Sequence, residues 1–247
     1  MQQLFYSEII ENEICVLTSE ESKHCIGVLR HRNGDIVYIF SRSGEIHTAK
    51  IINDSPKECI LNIIDTKPVY RRPEFLHIAI APTKNVERFE WFVEKAVEIG
   101  IEEITPLFCE HSERRALKTD RIEKIVVSAM KQSLNLNFPK INQPVDFKDL
   151  IRMKFKEKKC IAYCEEKTIF FSETIAAGFP MLTLVGPEGD FSKQEIEMAI
   201  SRGFTPVSLG RNRLRTETAG LAVCTIFQSV TGDPRTENNG KKAGGHK

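Results

Sequence analysis

No stretch of this chain approaches the roughly 18 apolar residues needed to cross a bilayer, and comparable runs such as 181–185 are only strand-sized. The first residues, Met1-Gln2-Gln3-Leu4-Phe5-Tyr6-Ser7-Glu8, lack the basic region, apolar stretch and small-residue cleavage site of a secretory signal, so a cytoplasmic protein with no membrane association is expected. An excess of one charge is missing too. Lys plus Arg number 35 against 34 Asp plus Glu, which excludes a polycationic scaffold. Seven cysteines (15, 25, 59, 109, 160, 164 and 224) are odd in number and scattered, and Cys160 and Cys164 have three residues between them where a zinc knuckle or redox pair has two. They read as reduced thiols, with no metal site. Also absent are Gly-x-Gly-x-x-Gly, Gly-x-x-x-x-Gly-Lys-Ser/Thr, Gly-x-Ser-x-Gly and His-Glu-x-x-His, which disfavours the usual dinucleotide folds, P-loops, serine hydrolases and zincins.

What is present is ordinary globular composition, 41% hydrophobic and 28% charged. The 247 residues suit either one large domain or two of about 70 and 160 residues. The texture along the chain favours two. Segments 14–17, 36–40, 46–52 and 59–64 alternate apolar and polar residues between turns such as Asn33-Gly34-Asp35, as in a small β-barrel, with a helical insert at 19–29 capped by Ser19. Pro68, Arg71, Arg72 and Pro73 interrupt the pattern. Residues 1–70 are therefore expected to be a β-barrel domain.

From Glu74 onward apolar strands alternate with helices. Strands are expected at 75–81, 104–108, 160–164, 181–185 and 206–209, and helices at 86–99, 119–133, 169–177, 193–202 and 217–230. In the first helix Val86, Phe89, Val93, Ala96 and Val97 share a face and Gly100 follows as a C-cap; Ser192 with Glu195 makes a capping box for a later one. The sum is an α/β domain over 74–231 with an open parallel sheet. Residues 232–247 have no large apolar residue and read as a disordered tail.

Two glycine-bearing turns end apolar strands, Leu184-Val185-Gly186-Pro187-Glu188-Gly189-Asp190-Phe191-Ser192 and Leu209-Gly210-Arg211-Asn212-Arg213-Leu214-Arg215-Thr216-Glu217. In a parallel sheet ligands sit beyond the C-terminal strand ends, which places these loops side by side around a small molecule. Arg211, Arg213, Arg215 and Glu217 crowd a loop that enters an apolar helix. They read either as a solvated loop with Glu217 stabilised by the helix dipole, or as an anion-binding and acid/base site.

At these residues the sequence resembles a known family. Gly186-Pro187-Glu188-Gly189-x-Phe191-Ser192, then Leu209-Gly210-x-x-x-Leu214-Arg215-x-Glu217-Thr218-Ala219, is similar to the two-part signature of the SPOUT methyltransferases, and specifically of the RsmE family, which methylates N3 of a uridine in 16S ribosomal RNA. Two more blocks agree in order: Lys84-x-x-x-Arg88-x-Glu90-x-x-x-x-Lys95-x-x-Glu98-x-Gly100 with Ile104-x-Pro106 and Ser112-Glu113-Arg114, and His24-x-x-x-Val28-Leu29-Arg30-x-x-x-Gly34-Asp35. The resemblance implies a PUA-like N-terminal barrel that helps hold RNA, a trefoil-knotted parallel sheet, S-adenosylmethionine as methyl donor, the small ribosomal subunit or its 16S rRNA as partner, and a homodimer. It implies Leu184, Gly186, Pro187, Gly189, Leu209, Gly210, Leu214 and Thr216 as cofactor-binding residues, and Arg215 and Glu217 as catalytic ones. The alternatives are a SPOUT ribose 2′-O-methyltransferase and a non-catalytic RNA-binding assembly factor.

The chain also departs from the family pattern. Asp190 replaces a glycine, Arg213 stands where an apolar residue is common, and Lys131 and Asn135 stand where Glu and Arg are expected. Residues 1–72 hold nine Lys plus Arg and ten Asp plus Glu, so RNA binding there requires clustering. Lys23, His24, Arg30 and Arg32 supply it, with Arg114 and its neighbours Arg71, Arg72 and Arg115 as candidate phosphate contacts.

Overall fold

Alternating sequence builds the first compact unit of the computed structural model, which describes residues 3–70, 73–163, 168–176 and 178–232. Arg71, Arg72, Cys164 and the tail beyond Gly232 lie outside those residues. The unit takes in residues up to 71 together with 127–138. Its strands are β1 (Leu4–Tyr6), β2 (Ile10–Glu11), β3 (Ile14–Val16), β4 (Ile36–Phe40), β5 (Glu45–Asp54) and β6 (Cys59–Pro68), paired in the order β1-β4-β5-β6-β3-β2. Only β1 and β4 run parallel. Two register shifts between β5 and β6 bend the longest hairpin, and the curled sheet wraps Phe5, Cys15, Leu17, Ile39, Ile51 and Leu61 into a half-barrel core.

Between β3 and β4 the expected helical insert is present in two parts, α1 (Ser19–Ser22) and a π-helical turn over Lys23–Val28. Thr18, not Ser19, is the cap: its Oγ1 accepts from the Glu21 amide at 3.3 Å. The wider turn closes through Leu29 N to the His24 carbonyl, five residues back. Ser22 seats the insert on the sheet, since its buried hydroxyl accepts from the Cys59 amide at 2.8 Å and reaches the Leu17 carbonyl.

The second unit comprises residues 72–126 and 139–247. Its strands are β7 (Leu76–Ile80), β8 (Glu103–Phe108), β9 (Lys140–Ile141), β10 (Val145–Asp146), β11 (Lys158–Ala162), β12 (Ile169–Phe170), β13 (Met181–Val185) and β14 (Thr205–Ser208). All pair in parallel, in the order β10-β8-β7-β13-β11-β14-β12, with β9 also on β8. Every residue of β7 and β13 is buried, as parallel strands covered on both faces require. The helices are α2 (Val86–Ile99), α3 (Thr119–Ser133), α4 (Phe147–Leu150), α5 (Phe171–Thr174), α6 (Lys193–Ser201) and α7 (Thr216–Thr231). Ala79, Leu182 and Leu184 pack with Phe147, Leu150, Ile196 and Ala199 on one face, and α2 and α7 pack together, with α7 also on β7 and β13.

The expected helix at 169–177 is corrected. Ile169 and Phe170 pair with Val207 and Ser208 as an edge strand, and only the single turn Phe171–Thr174 is helical. A run of β-branched and aromatic residues that short carries no periodicity to tell the two apart. Elsewhere the local signals hold. Asn85 caps α2 by accepting from Glu87 N at 3.0 Å, and Gly100 ends it at φ 107°. Ser192 and Glu195 form both halves of the capping box. All six cysteines other than Cys164 are free thiols and buried.

At Gly220 α7 closely approaches α2 and β7. A Cβ there would lie 2.5 Å from the ring of Phe92 and 2.8 Å from Ile80, and both side chains are fully buried. Gly220→Ala is therefore expected to lower unfolding free energy by about 1–3 kcal/mol, read from urea denaturation against the parent chain.

Candidate active site

Parallel pairing puts every strand's carboxyl end on one edge of the sheet, and both glycine-bearing loops start there. β13 and β14 are not neighbours, however: β11 lies between them. The loops therefore meet across the end of β11. The cavity they enclose, about 280 Å³, is lined by Ala162 and Tyr163 after β11, by Gly186, Pro187, Glu188 and Asp190 after β13, and by Leu209, Gly210, Asn212, Arg213, Leu214, Arg215 and Thr216 after β14, with Ala219 on α7. Of the eight residues singled out for a cofactor, Gly186, Pro187, Leu209, Gly210, Leu214 and Thr216 line it. Leu184 is fully buried in the core instead, and Gly189 packs against His111, 3.0 Å from where its own Cβ would stand.

Hydrogen bonds across the loops fix the shape. Thr216 Oγ1 donates to the Gly186 carbonyl at 3.0 Å, joining the start of α7 to the first loop. Arg213 Nη2 donates to the Glu188 carbonyl at 3.2 Å, so this unexpected arginine ties the second loop to the first. The Glu188 carboxylate accepts from Lys84 N at 3.0 Å, anchoring that turn to the segment before α2. Asp190 adopts φ 64°, the left-handed conformation natural to the glycine it replaces, while its carboxylate accepts from Phe191 N at 2.8 Å. His111 Nδ1 lies 3.1 and 3.0 Å from the Gly189 and Asp190 carbonyls. Both partners are acceptors, so Nδ1 carries the proton.

Arg215 is the N-cap residue of α7 and is exposed on the cavity wall; its carbonyl accepts from Ala219 N at 2.7 Å, while its side chain has no hydrogen bond or ion pair among the described residues. Glu217 follows in the first turn but does not line the cavity. It is 7% exposed, its Oε2 is buried without a hydrogen-bond partner, and Arg88 of α2 stands 3.9 Å from its Oε1. A carboxylate at a helix N-terminus is favoured by the dipole, yet one oxygen is left open.

The residues singled out for RNA fall on both units. Lys23 and His24 open the π-helical turn, exposed, with Arg30 and Arg32 in the turn beyond it. Arg30 holds φ 61°, and Arg32 donates to the His31 carbonyl at 3.0 Å. Arg114 belongs to the second unit, where its guanidinium donates to the Thr83 and Lys84 carbonyls at 3.0–3.3 Å. Arg115 is paired with Asp146 at 3.2 Å. Sequence reasoning missed Ala162 and Tyr163 in the cavity. The strand-end rule that located the two loops covers them as well, once β11 is placed between β13 and β14. Among the described residues no group of three or more His, Cys, Asp or Glu could hold a metal, and no helix is long and apolar enough to cross a membrane.

Comparison with known proteins gives consistent results. Residues 71–228 match the RNA methyltransferase domain family and residues 17–64 the RNA methyltransferase PUA domain family. The chain is 31% identical to ribosomal RNA small subunit methyltransferase E of Buchnera aphidicola, over 90% of each chain, and 30% identical to that of Mesomycoplasma hyopneumoniae, over 91% of this chain and 98% of the other. A Porphyromonas gingivalis structure described as a probable rRNA methyltransferase superimposes with TM-score 0.87 at 39% identity, covering 93% of this chain and 98% of that one. A Neisseria gonorrhoeae ribosomal RNA small subunit methyltransferase E, solved with S-adenosylmethionine bound, gives 0.83 at 25% identity, covering 94% and 98%.

The Thr216 bond is open to test. Thr216→Val keeps the side-chain shape but strands the Gly186 carbonyl, so a loss of about 1–3 kcal/mol in unfolding free energy is expected, measured by chemical denaturation.

Proposed function

We propose a function from kinship: the chain belongs to the RsmE family of ribosomal RNA small subunit methyltransferases. The proposed reaction is transfer of a methyl group from S-adenosylmethionine to N3 of a uridine in 16S ribosomal RNA. The observation that carries it is the single cavity built by both signature loops, with Arg215 on its wall. Its features suit the cofactor. Leu209, Leu214 and Pro187 offer an apolar wall to a flat ring, Glu188, Asp190 and Asn212 offer polar groups, and the volume is near the lower end for small-molecule sites.

Bound there, S-adenosylmethionine supplies an electrophilic methyl group, which N3 takes as the sulfur leaves with the bonding electrons. The imide N–H of uridine is a weak acid and a poor nucleophile, so its proton must be removed and the anion aligned. Glu217 takes or relays that proton, supported by its burial and its unpartnered Oε2. Arg215 stabilises the negative charge spread onto the uracil oxygens. Because the methyl donor is itself cationic, Arg215 is directed at the RNA. Lys23, His24, Arg30 and Arg32 hold phosphates, and phosphate contacts position without specifying sequence. The full reading includes the threaded, knotted chain path, a homodimer, a two-domain division near 70–74 and a cytoplasmic site of action.

The decisive experiment is methyl transfer from labelled S-adenosylmethionine to small ribosomal subunits from cells lacking the activity. Label in 3-methyluridine is expected; label on ribose, or tight cofactor binding with no transfer, would overturn the reading. Glu217→Gln is expected to lower turnover by about 10²–10⁴-fold with cofactor affinity, measured by calorimetry, little changed. Replacing Lys23 and Arg30 with glutamine is expected to weaken subunit binding and to reduce the log–log salt slope by about one per cation removed, read by filter binding across a salt series.

A further inference from the structure

Glu217 is a buried carboxylate whose only ion-pair partner among the described residues is loosely held. Its side chain is 8% exposed and Arg88 Nε lies 3.9 Å from Oε1, inside ion-pair range but beyond hydrogen-bond range. Among the described residues Oε2 has no hydrogen-bond partner. Among the described residues, the other elements in main contact with α7, which are β7, β13 and α5, bring no cation to it. β13 carries no ionisable side chain. On β7, His77 is hydrogen-bonded to Thr105 at 2.7 Å and burial favours its neutral form. Glu173 of α5 accepts from Phe170 N at 3.0 Å.

A carboxylate taken from water without a counter-charge is strongly disfavoured in its ionised form. A close bidentate arginine would remedy that but would occupy the lone pairs a proton acceptor needs. Arg88 does neither. At 3.9 Å it supplies positive charge beside Oε1 and leaves Oε2 open. We propose that Arg88 is a positioning residue for Glu217, orienting the carboxylate from the Oε1 side without consuming the oxygen that receives the substrate proton.

Helix geometry supports the assignment. Arg88 lies in the first turn of α2, whose start is fixed by the Asn85 cap and by the Lys84 amide bound to Glu188 of the cavity loop. The guanidinium itself is 44% exposed, so it keeps much of its hydration while reaching a buried partner. The other ion pairs of that helix lie elsewhere: Glu90 pairs with Arg121 at 2.6 Å, and Lys95 with Glu94 and Glu98.

The inference rests on the proposed role of Glu217, and the experiment separates the two. Single-turnover methylation of small ribosomal subunits is measured for Arg88→Gln, Arg88→Lys, Glu217→Gln and the double variant Arg88→Gln/Glu217→Gln, with S-adenosylmethionine affinity and urea midpoints measured in parallel. The expected result is a 10–100-fold lower rate for Arg88→Gln at unchanged cofactor affinity, substantial recovery in Arg88→Lys, and no further loss when Arg88→Gln is added to Glu217→Gln. Losses that multiply in the double variant, or a rate for Arg88→Gln equal to the parent's, would overturn the positioning role while leaving Glu217 in place. A parental rate for Glu217→Gln would instead remove the proposed base, and with it the inference.

Discussion

The hydrogen bond from Thr216 Oγ1 to the Gly186 carbonyl is the interaction on which the site depends. Two loops that begin 23 residues apart, at Gly186 and Leu209, leave strands that are not neighbours, so no ladder bond holds them to each other. The threonine hydroxyl closes that gap, and Arg213 adds a second tie to the Glu188 carbonyl. Glu188 extends the chain of bonds to Lys84, and Arg114 bonds the Thr83 and Lys84 carbonyls. Segments preceding α2, following β8, following β13 and following β14 thereby become one rigid rim, which is how a cavity keeps its shape when loops alone build it.

Much of this was legible because local signals and global fold agree. The alternating apolar runs, the α2 stripe closed by Gly100, and the Ser192–Glu195 box each name an element that the structure contains. What was not legible had no local signal to read. β2, β9, β10 and β12 are two residues long, below any period, and exist because neighbouring strands leave them backbone partners. The switch from α to π inside residues 19–28 is likewise set by packing, since Ser22, Cys25 and Ile26 are buried while Lys23 and His24 face out. The last turns of α3 group with the first unit, where Lys131 pairs with Glu21 at 2.6 Å and lies over the Phe5 ring. A lysine that departs from the family pattern thus has a partner that sequence spacing, 110 positions apart, could not suggest.

For the site, the glycine loops are legible because ligands in parallel sheets sit beyond the C-terminal strand ends. Sequence alone does not reveal that β11 separates β13 from β14, which adds Ala162 and Tyr163 to the wall. Charge was harder to read. Arginines that look alike as sequence differ in the fold: Arg32, Arg114, Arg115 and Arg213 bond backbone carbonyls, Arg88 reaches Glu217, and the side chains of Arg215 and Arg30 have no hydrogen bond or ion pair among the described residues. A count of basic residues therefore overstates what is available to RNA. It is the unbonded guanidinium that can exchange water for phosphate or a uracil oxygen without breaking the protein first.

The asymmetry between Arg215 and Glu217 follows from the start of α7. A cap residue has extended backbone and points away from the helix, so Arg215 reaches the cavity; two residues on, helical geometry turns Glu217 inward beside α2. Burial makes that carboxylate expensive and therefore sensitive to one nearby charge, whereas an exposed carboxylate would be levelled by water. A proton acceptor must be charged, aimed and unoccupied at once. Close salt bridging satisfies the first two conditions and defeats the third, while full exposure satisfies only the first and third. The role proposed for Glu217 would meet all three through a buried carboxylate with an offset arginine, set where α7 packs on α2.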